Sequence, residues 1–235
     1  MKITAVRGLP LRCACEPISD ALSTSRARQA LLVLLDTDAG LQGVGEAFTY
    51  GAPLPIMQYL VENTLGPKLI GRDPADIDGI WQTLYISTLA SGRRSMTLGA
   101  ISGIDIALWD LKGKCEHKSI AALLGGRRDR IPSYASGGFY AHGKGLDGLR
   151  RELEGYMQKG YTDAKIKIGR NLDRPHAPLK VLGITEDTIT VEEDWQRIRA
   201  AKEIVGDGRL AVDTNASWDR ATALENAPRL VEAGV

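Results

Sequence analysis

The sequence predicts an α+β domain followed by a region of parallel β/α units, and three observations carry that prediction. Apolar runs at 2–11, 29–38 and 42–49 read as strands, three helix-periodic segments follow between 53 and 114, and strand-like and helix-like segments then alternate from about residue 131. With 235 residues, 43% of them hydrophobic and 25% charged, there is apolar material for one large domain or two smaller ones.

The first two runs are rich in Val, Leu and Ile, and the second ends at the turn signal Asp38-Ala39-Gly40 before the third begins. Together they predict a three-stranded antiparallel sheet. Between the first two lies Glu16 to Arg28, polar and carrying Ser19, Ser23, Thr24 and Ser25; at that length it reads as a mobile or functional loop. Helices are expected at 53–65, at 74–87 after Asp73-Pro74, and at 96–114, where Leu98, Ile101, Ile104, Leu108 and Leu111 form one apolar stripe. After Gly125-Gly126 and the basic run Arg127, Arg128 and Arg130 the pattern changes, which places a domain boundary near Ile131 and divides the chain into 1–130 and 131–235.

In the second part, strands are expected at 131–136, 163–168 and 209–215, with helices at 146–158, 190–205 and 219–233. Strands separated by helices imply parallel pairing through right-handed crossovers. Thr190 and Glu193 form a capping box, followed by Trp195, Ile198, Ala201 and Val205 on one helical face. Asn171 to Asp187 is a long strand-to-helix loop containing His176, and Pro228 interrupts the last helix.

Thirty basic against 29 acidic side chains leave a formal charge of +1, so no broad field recruits nucleic acid or an anionic membrane. Cys13, Cys15 and Cys115 form neither a disulfide framework nor a zinc pattern, which favours a reducing compartment. The opening MKITAVRGLPLRCACEP lacks an apolar leader core and no later run reaches membrane-spanning length, so a cytoplasmic location is expected.

The sharpest chemical signal is Asp163-Ala164-Lys165-Ile166-Lys167-Ile168. A period of two puts both lysines on one strand face and Ala164, Ile166 and Ile168 on the other. Inside a parallel sheet, unpaired ammonium groups need acids, a substrate anion or loss of a proton; repulsion and burial both lower a lysine pKa and so favour a neutral amine as general base. From the hexapeptide alone, an edge strand with a solvated lysine face serves equally well. In Arg209-Leu210-Ala211-Val212-Asp213-Thr214-Asn215, Leu210 and Val212 share the helix-facing side, while Ala211, Asp213 and Asn215 face inward beside the lysines. Asp213 is an oxygen ligand suited to a hard dication such as Mg²⁺; the competing reading is an aspartate that only caps the next turn.

The helix phrase running from Ala100 to Lys114, AISGIDIALWDLKGK, the Lys165-x-Lys167 strand and the Val212-Asp213-x-Asn215 strand end occur in an order that resembles the mandelate racemase and muconate-lactonizing branch of the enolase superfamily. The resemblance covers the whole chain. It implies an α+β capping domain followed by an incomplete parallel (β/α) TIM-like barrel of the enolase type. It also implies Mg²⁺-dependent removal of the proton alpha to a carboxylate, with Lys167 as base, Lys165 neutralising the substrate carboxylate and Asp213 binding the metal. Asn215, Tyr50 and Arg26 would contact substrate, with Arg28 and the segments Glu16 to Arg28 and Phe48 to Pro55 shaping specificity. Acid-sugar dehydration leads; racemisation, epimerisation and cycloisomerisation share the same half-site. The expected partners are a small carboxylic acid and further copies of the chain in a homo-oligomer.

The resemblance also sets an expectation of missing parts. A complete barrel takes about 200 residues or more. Only three strand-helix units are visible from Ile131 to Val235. The remaining metal carboxylates and the second acid or base are therefore expected outside this sequence, in a longer enzyme of which this is a piece. A non-catalytic fragment and a Schiff-base aldolase using Lys165 or Lys167 are the alternatives.

Overall fold

A computed structural model describes the chain except for Gly92, Arg93, Ser95, Asp129, Pro175 and His176, so the expectation attached to His176 lies outside the described residues. The chain separates into two compact units, Met1–Ala14 with Ala27–Asp129, and Cys15–Arg26 with Arg130–Val235.

The first unit is built on a sheet of order β1-β2-β3, with β1 at Ile3–Ser19, β2 at Thr24–Thr37 and β3 at Gln42–Ala47. β2 and β3 pair antiparallel with Leu31 opposite Ala47 and Leu35 opposite Gly43. The alternation of β2 sends Leu31, Val33 and Leu35 into the core, where they are fully buried. Helices cover that face: α1 (Leu54–Tyr59), continued by a wide turn at Leu60–Leu65, then α2 (Ile77–Ser87), α3 (Met96–Glu116) and the short α4 (Ile120–Leu123). Ile101, Ile104, Leu108 and Leu111 of the predicted stripe are all buried in one core with Ile3, Met57, Val61 and Leu65. α3 approaches β3 closely enough that a Cβ on Gly45 would run into the Gly103 carbonyl, and one on Gly43 into the Ala107 carbonyl. The Asp110 carboxylate accepts from the Val44 amide (2.8 Å) and from Lys114 (2.6 Å), tying the same two elements together.

The expected loop Glu16 to Arg28 is mostly strand. β1 continues to Ser19 and β2 begins at Thr24, leaving a turn in which the Asp20 amide donates to the Ser23 carbonyl (3.0 Å) and the Asp20 carboxylate accepts from Leu22 (2.9 Å) and Ser23 (2.7 Å). Within the segment most residues are polar and half-buried, and burial is concentrated at Ser19, Asp20 and Ala21 in the tip, so no alternating apolar face marks the strands.

In the second unit β4 (Ala135–Gly137), β5 (Ala164–Lys167) and β6 (Leu210–Asp213) form a parallel sheet in that order. α5 (Leu146–Gln158), α7 (Val191–Val205) and α8 (Arg220–Glu232) follow the three strands in turn, and α6 (Pro178–Leu182) is a short helix inside the stretch read as a plain loop. Ala164, Ile166 and Ile168 join Leu149, Leu153, Trp195, Ile198, Ala201 and Val205 in one core. The capping box forms as expected: Thr190 accepts from the Glu193 amide and Glu193 accepts from the Thr190 amide. α8 runs through Pro228 without stopping. None of its residues is fully buried, so the carbonyl that loses its partner to proline can turn to water. Among the described residues no helix is long and apolar enough to cross a membrane.

Candidate functional site

Register determines what the carboxyl end of the parallel sheet holds. Lys165 lies opposite Ala211 and Lys167 opposite Asp213, so the inward faces of β5 and β6 bring both lysines to one acid. Lys167 donates to Asp213 Oδ2 at 2.6 Å, and Lys165 Nζ lies 3.3 Å from the same oxygen. The other oxygen, Oδ1, accepts from the Asn215 amide at 3.0 Å. Asp213 therefore does cap the following turn, with one oxygen, while the other joins two ammonium groups.

Each lysine is also covered by an aromatic ring. Lys167 Nζ is 5.1 Å from the centre of Phe139 and Lys165 Nζ 5.5 Å from that of Tyr134, within range of a cation-π attraction. The Lys167 side chain is 9% exposed and that of Lys165 24%, so the pair is largely withdrawn from water. Burial pushes the Asp213 carboxyl up, but the hydrogen bond from Lys167, the Asn215 amide and the lysine charges outweigh it and hold the group at about 2. Burial opposes the charge on Lys165; contact with Asp213 and Tyr134 reverses the balance and leaves its pKa above the ordinary lysine value. The lowered lysine pKa expected from the sequence is thus corrected for Lys165, because the acid sits between the two cations.

Asn215 has φ 43° and the next residue, Ala216, φ 61°, a left-handed pair that turns the chain away from β6. The Asn215 side-chain oxygen is buried with no hydrogen-bond partner, an acceptor left open beside the lysines' acid. Arg26 is placed differently: its guanidinium pairs with Glu186 at 2.7 Å, with both side chains about half exposed. Tyr50 belongs to the first unit and is exposed, with its ring 6.4 Å from Phe48.

Behind the site lies a polar network that the sequence reading missed. Asp194 on α7 accepts from Tyr140 (2.7 Å), the Gly169 amide (2.7 Å) and Asn171 (2.9 Å), linking the ends of β4 and β5 to the first turn of α7. Burial lifts its carboxyl above the usual range despite these donors. Arg197 donates to the Gly138 carbonyl at 2.6 Å and lies over the Tyr140 ring. An aspartate inside the apolar stripe of α7 was the one available sequence signal, since a buried carboxylate requires partners.

Mg²⁺ takes six oxygen donors in a near-octahedral shell. This chain offers Asp213 and the open Asn215 oxygen, and among the described residues no group of three or more His, Cys, Asp or Glu side chains converges. These residues by themselves do not fit a magnesium site.

A three-stranded cap sheet with its helices, a parallel β/α region and a lysine pair facing an aspartate define a class. Residues 3–125 match the N-terminal domain of mandelate racemase / muconate lactonizing enzyme, and residues 148–235 match the enolase C-terminal domain-like family. The chain belongs to the mandelate racemase and muconate lactonizing enzyme family of the enolase superfamily. Arabinonate dehydratase of Saccharolobus solfataricus is 35% identical over 202 residues, covering 86% of this chain and 49% of that protein. D-galactarolactone cycloisomerase of Agrobacterium fabrum is 34% identical over 239 residues, covering 100% of this chain and 57% of that protein. The structure of L-talarate/galactarate dehydratase from Salmonella typhimurium, liganded with Mg and L-lyxarohydroxamate, superposes with a TM-score of 0.81 at 27% identity, covering 99% of this chain and 56% of that one. The chain spans about half the length of the curated relatives it matches.

Proposed function

We propose that the protein carrying this chain is an acid-sugar dehydratase that removes the proton alpha to a carboxylate and expels the β-hydroxyl as water. The observation that carries the reading is the shared Asp213 oxygen, which gathers two largely buried ammonium groups at the carboxyl end of adjacent parallel strands. Lys167, the more buried of the two, is the base. A base must be the neutral amine, so Lys167 has to release the hydrogen bond it donates to Asp213 and pass its ammonium proton to solvent before it meets the substrate. Lys165 balances the substrate carboxylate, and the Asn215 side-chain oxygen, buried and unpartnered, would accept a hydrogen bond from a substrate hydroxyl once the amide turns outward. Asp213 would be one of several oxygen ligands to Mg²⁺, the others coming from beyond the residues described here. Arg26 and Tyr50 remain proposed substrate contacts.

The dehydratases among the relatives support this substrate class. The cycloisomerase similar over the whole chain favours a second reading, in which the same proton abstraction opens or closes a ring rather than expelling water. A panel of aldonates, aldarates and aldarolactones, incubated with the protein and magnesium, separates the two. Dehydration yields a 2-keto-3-deoxy acid, detected as its semicarbazone; an isomer of unchanged mass supports the cycloisomerase or an epimerase, and no reaction with any member contradicts both.

A further inference from the structure

Three residues past Lys167, Arg170 is completely buried. Its Nε donates to the Glu186 carbonyl (3.0 Å), Nη1 to the carbonyls of Asp20 (2.9 Å) and Ser23 (3.3 Å), and Nη2 to the Thr24 hydroxyl (3.0 Å). All four acceptors are neutral oxygens, and three of them belong to the turn that joins β1 to β2. Because two of those three are main-chain carbonyls, the guanidinium recognises the shape of the turn more than its side chains.

The same tip is joined to the end of β4. The Ser19 amide donates to the Tyr140 carbonyl (2.7 Å), the Tyr140 amide donates back to the Ser19 carbonyl (2.9 Å), and the Ser19 hydroxyl reaches Asp187 (3.3 Å). Tyr140 directly follows Phe139, the ring that covers Lys167. The Tyr140 hydroxyl in turn accepts from the Arg170 amide at 3.3 Å. Turn, strand end and lysine are therefore connected by consecutive contacts, with Arg170 the buried member that reaches both sides. The exposed Arg26–Glu186 pair adds a weaker tie.

We infer that Arg170 is a positioning residue, a latch that holds the Asp20–Thr24 turn and, through the Ser19–Tyr140 pair, the strand end whose Phe139 ring covers Lys167. Its kinetic consequence rests on the acid-sugar reading above; its structural consequence does not. A substrate that meets the Phe139 strand end already ordered need not supply the free energy of ordering it, so loss of the latch weakens binding and spares the chemical step. Lysine cannot substitute, because one ammonium cannot reach four oxygens arranged around a planar fork.

The test compares wild type, Arg170→Lys and the milder Thr24→Val, which removes the hydroxyl contacts to Arg170 (3.0 Å) and Ser19 (2.9 Å) and keeps the buried charge. Hydrogen exchange is followed at the Ser19 and Tyr140 amides, with Ile166 and Ile198 as core references, and kcat and KM are measured on the acid sugar turned over by wild type. The latch predicts exchange at Ser19 and Tyr140 faster by about tenfold or more in Arg170→Lys, a smaller increase in Thr24→Val and no change at the references. KM should rise by about tenfold while kcat stays within about threefold. A purely structural role would lower the yield of folded protein without this split. Unchanged exchange at Ser19 and Tyr140 overturns the latch, and faster exchange with unchanged KM overturns the positioning role. Faster exchange in a protein that acts on no acid of the panel supports the latch and overturns the acid-sugar reading instead.

Discussion

The two oxygens of Asp213 have separate partners, and this makes the residue a pH-dependent element of the site. Its folded-state carboxyl lies at about 2, below an ordinary value of 3.8. A depressed carboxyl stabilises the fold above its unfolded pKa and loses that contribution as pH falls through the folded one, so the window here runs from about 4 down to about 2. The shift corresponds to about 2 kcal/mol. Asp213→Asn should therefore be less stable than the parent at neutral pH, and the difference should shrink as the pH falls through that window. Urea unfolding of both proteins with a chelator present checks it; a stability difference that stays constant from pH 7 to 2 would contradict the pairing with Lys165 and Lys167. The lysines and Asp213 were legible in sequence because period-two alternation fixes which face they share. Phe139 and Tyr134 were not: Phe139 lies past the strand expected at 131–136, and Tyr134, inside that range, falls just before the observed β4 at Ala135–Gly137, so strand alternation does not set its direction.

At the level of elements, legibility followed hydrophobic contrast. The stripe of α3 and the capping box of α7 were readable because one face is apolar or one cap has a defined chemistry. The outer half of the β1–β2 hairpin was not, because its strands are polar and its buried tip, Ser19 to Ala21, is held by hydrogen bonds to distant residues and not by an apolar face. The glycine contacts between α3 and β3 were equally hidden, since close approach of two backbones leaves no side-chain signature. They make a sharp prediction. Gly45→Ala should destabilise the first unit by about 3 kcal/mol, because the new methyl meets the Gly103 carbonyl, which belongs to a helix backbone and cannot yield cheaply. Gly155→Ala, on α5 with open space around it, should instead stabilise by about 0.5–1 kcal/mol. Thermal unfolding of the two variants checks the contrast, and a neutral Gly45→Ala would contradict the close packing.

At the scale of the whole molecule, sequence gave the order of parts: an antiparallel sheet, helices, then β/α units. A change of hydrophobic period near residue 131 is a strong signal even where individual boundaries drift. What it did not give was the assignment of Cys15–Arg26 to the second unit, which depends on Arg170 reaching main-chain carbonyls some 150 residues away in sequence. The site is legible to the same extent: its lysines and acid are local to two strands, whereas the groups that surround them arrive from distant segments. The central claim is that Lys167 takes the proton alpha to the substrate carboxylate. Its most direct test is proton NMR in deuterated water, following loss of the alpha-proton signal from a turned-over acid sugar with the parent protein and with Lys167→Ala. The account predicts exchange by the parent and none above background by a folded Lys167→Ala, whereas undiminished exchange by that variant would contradict it.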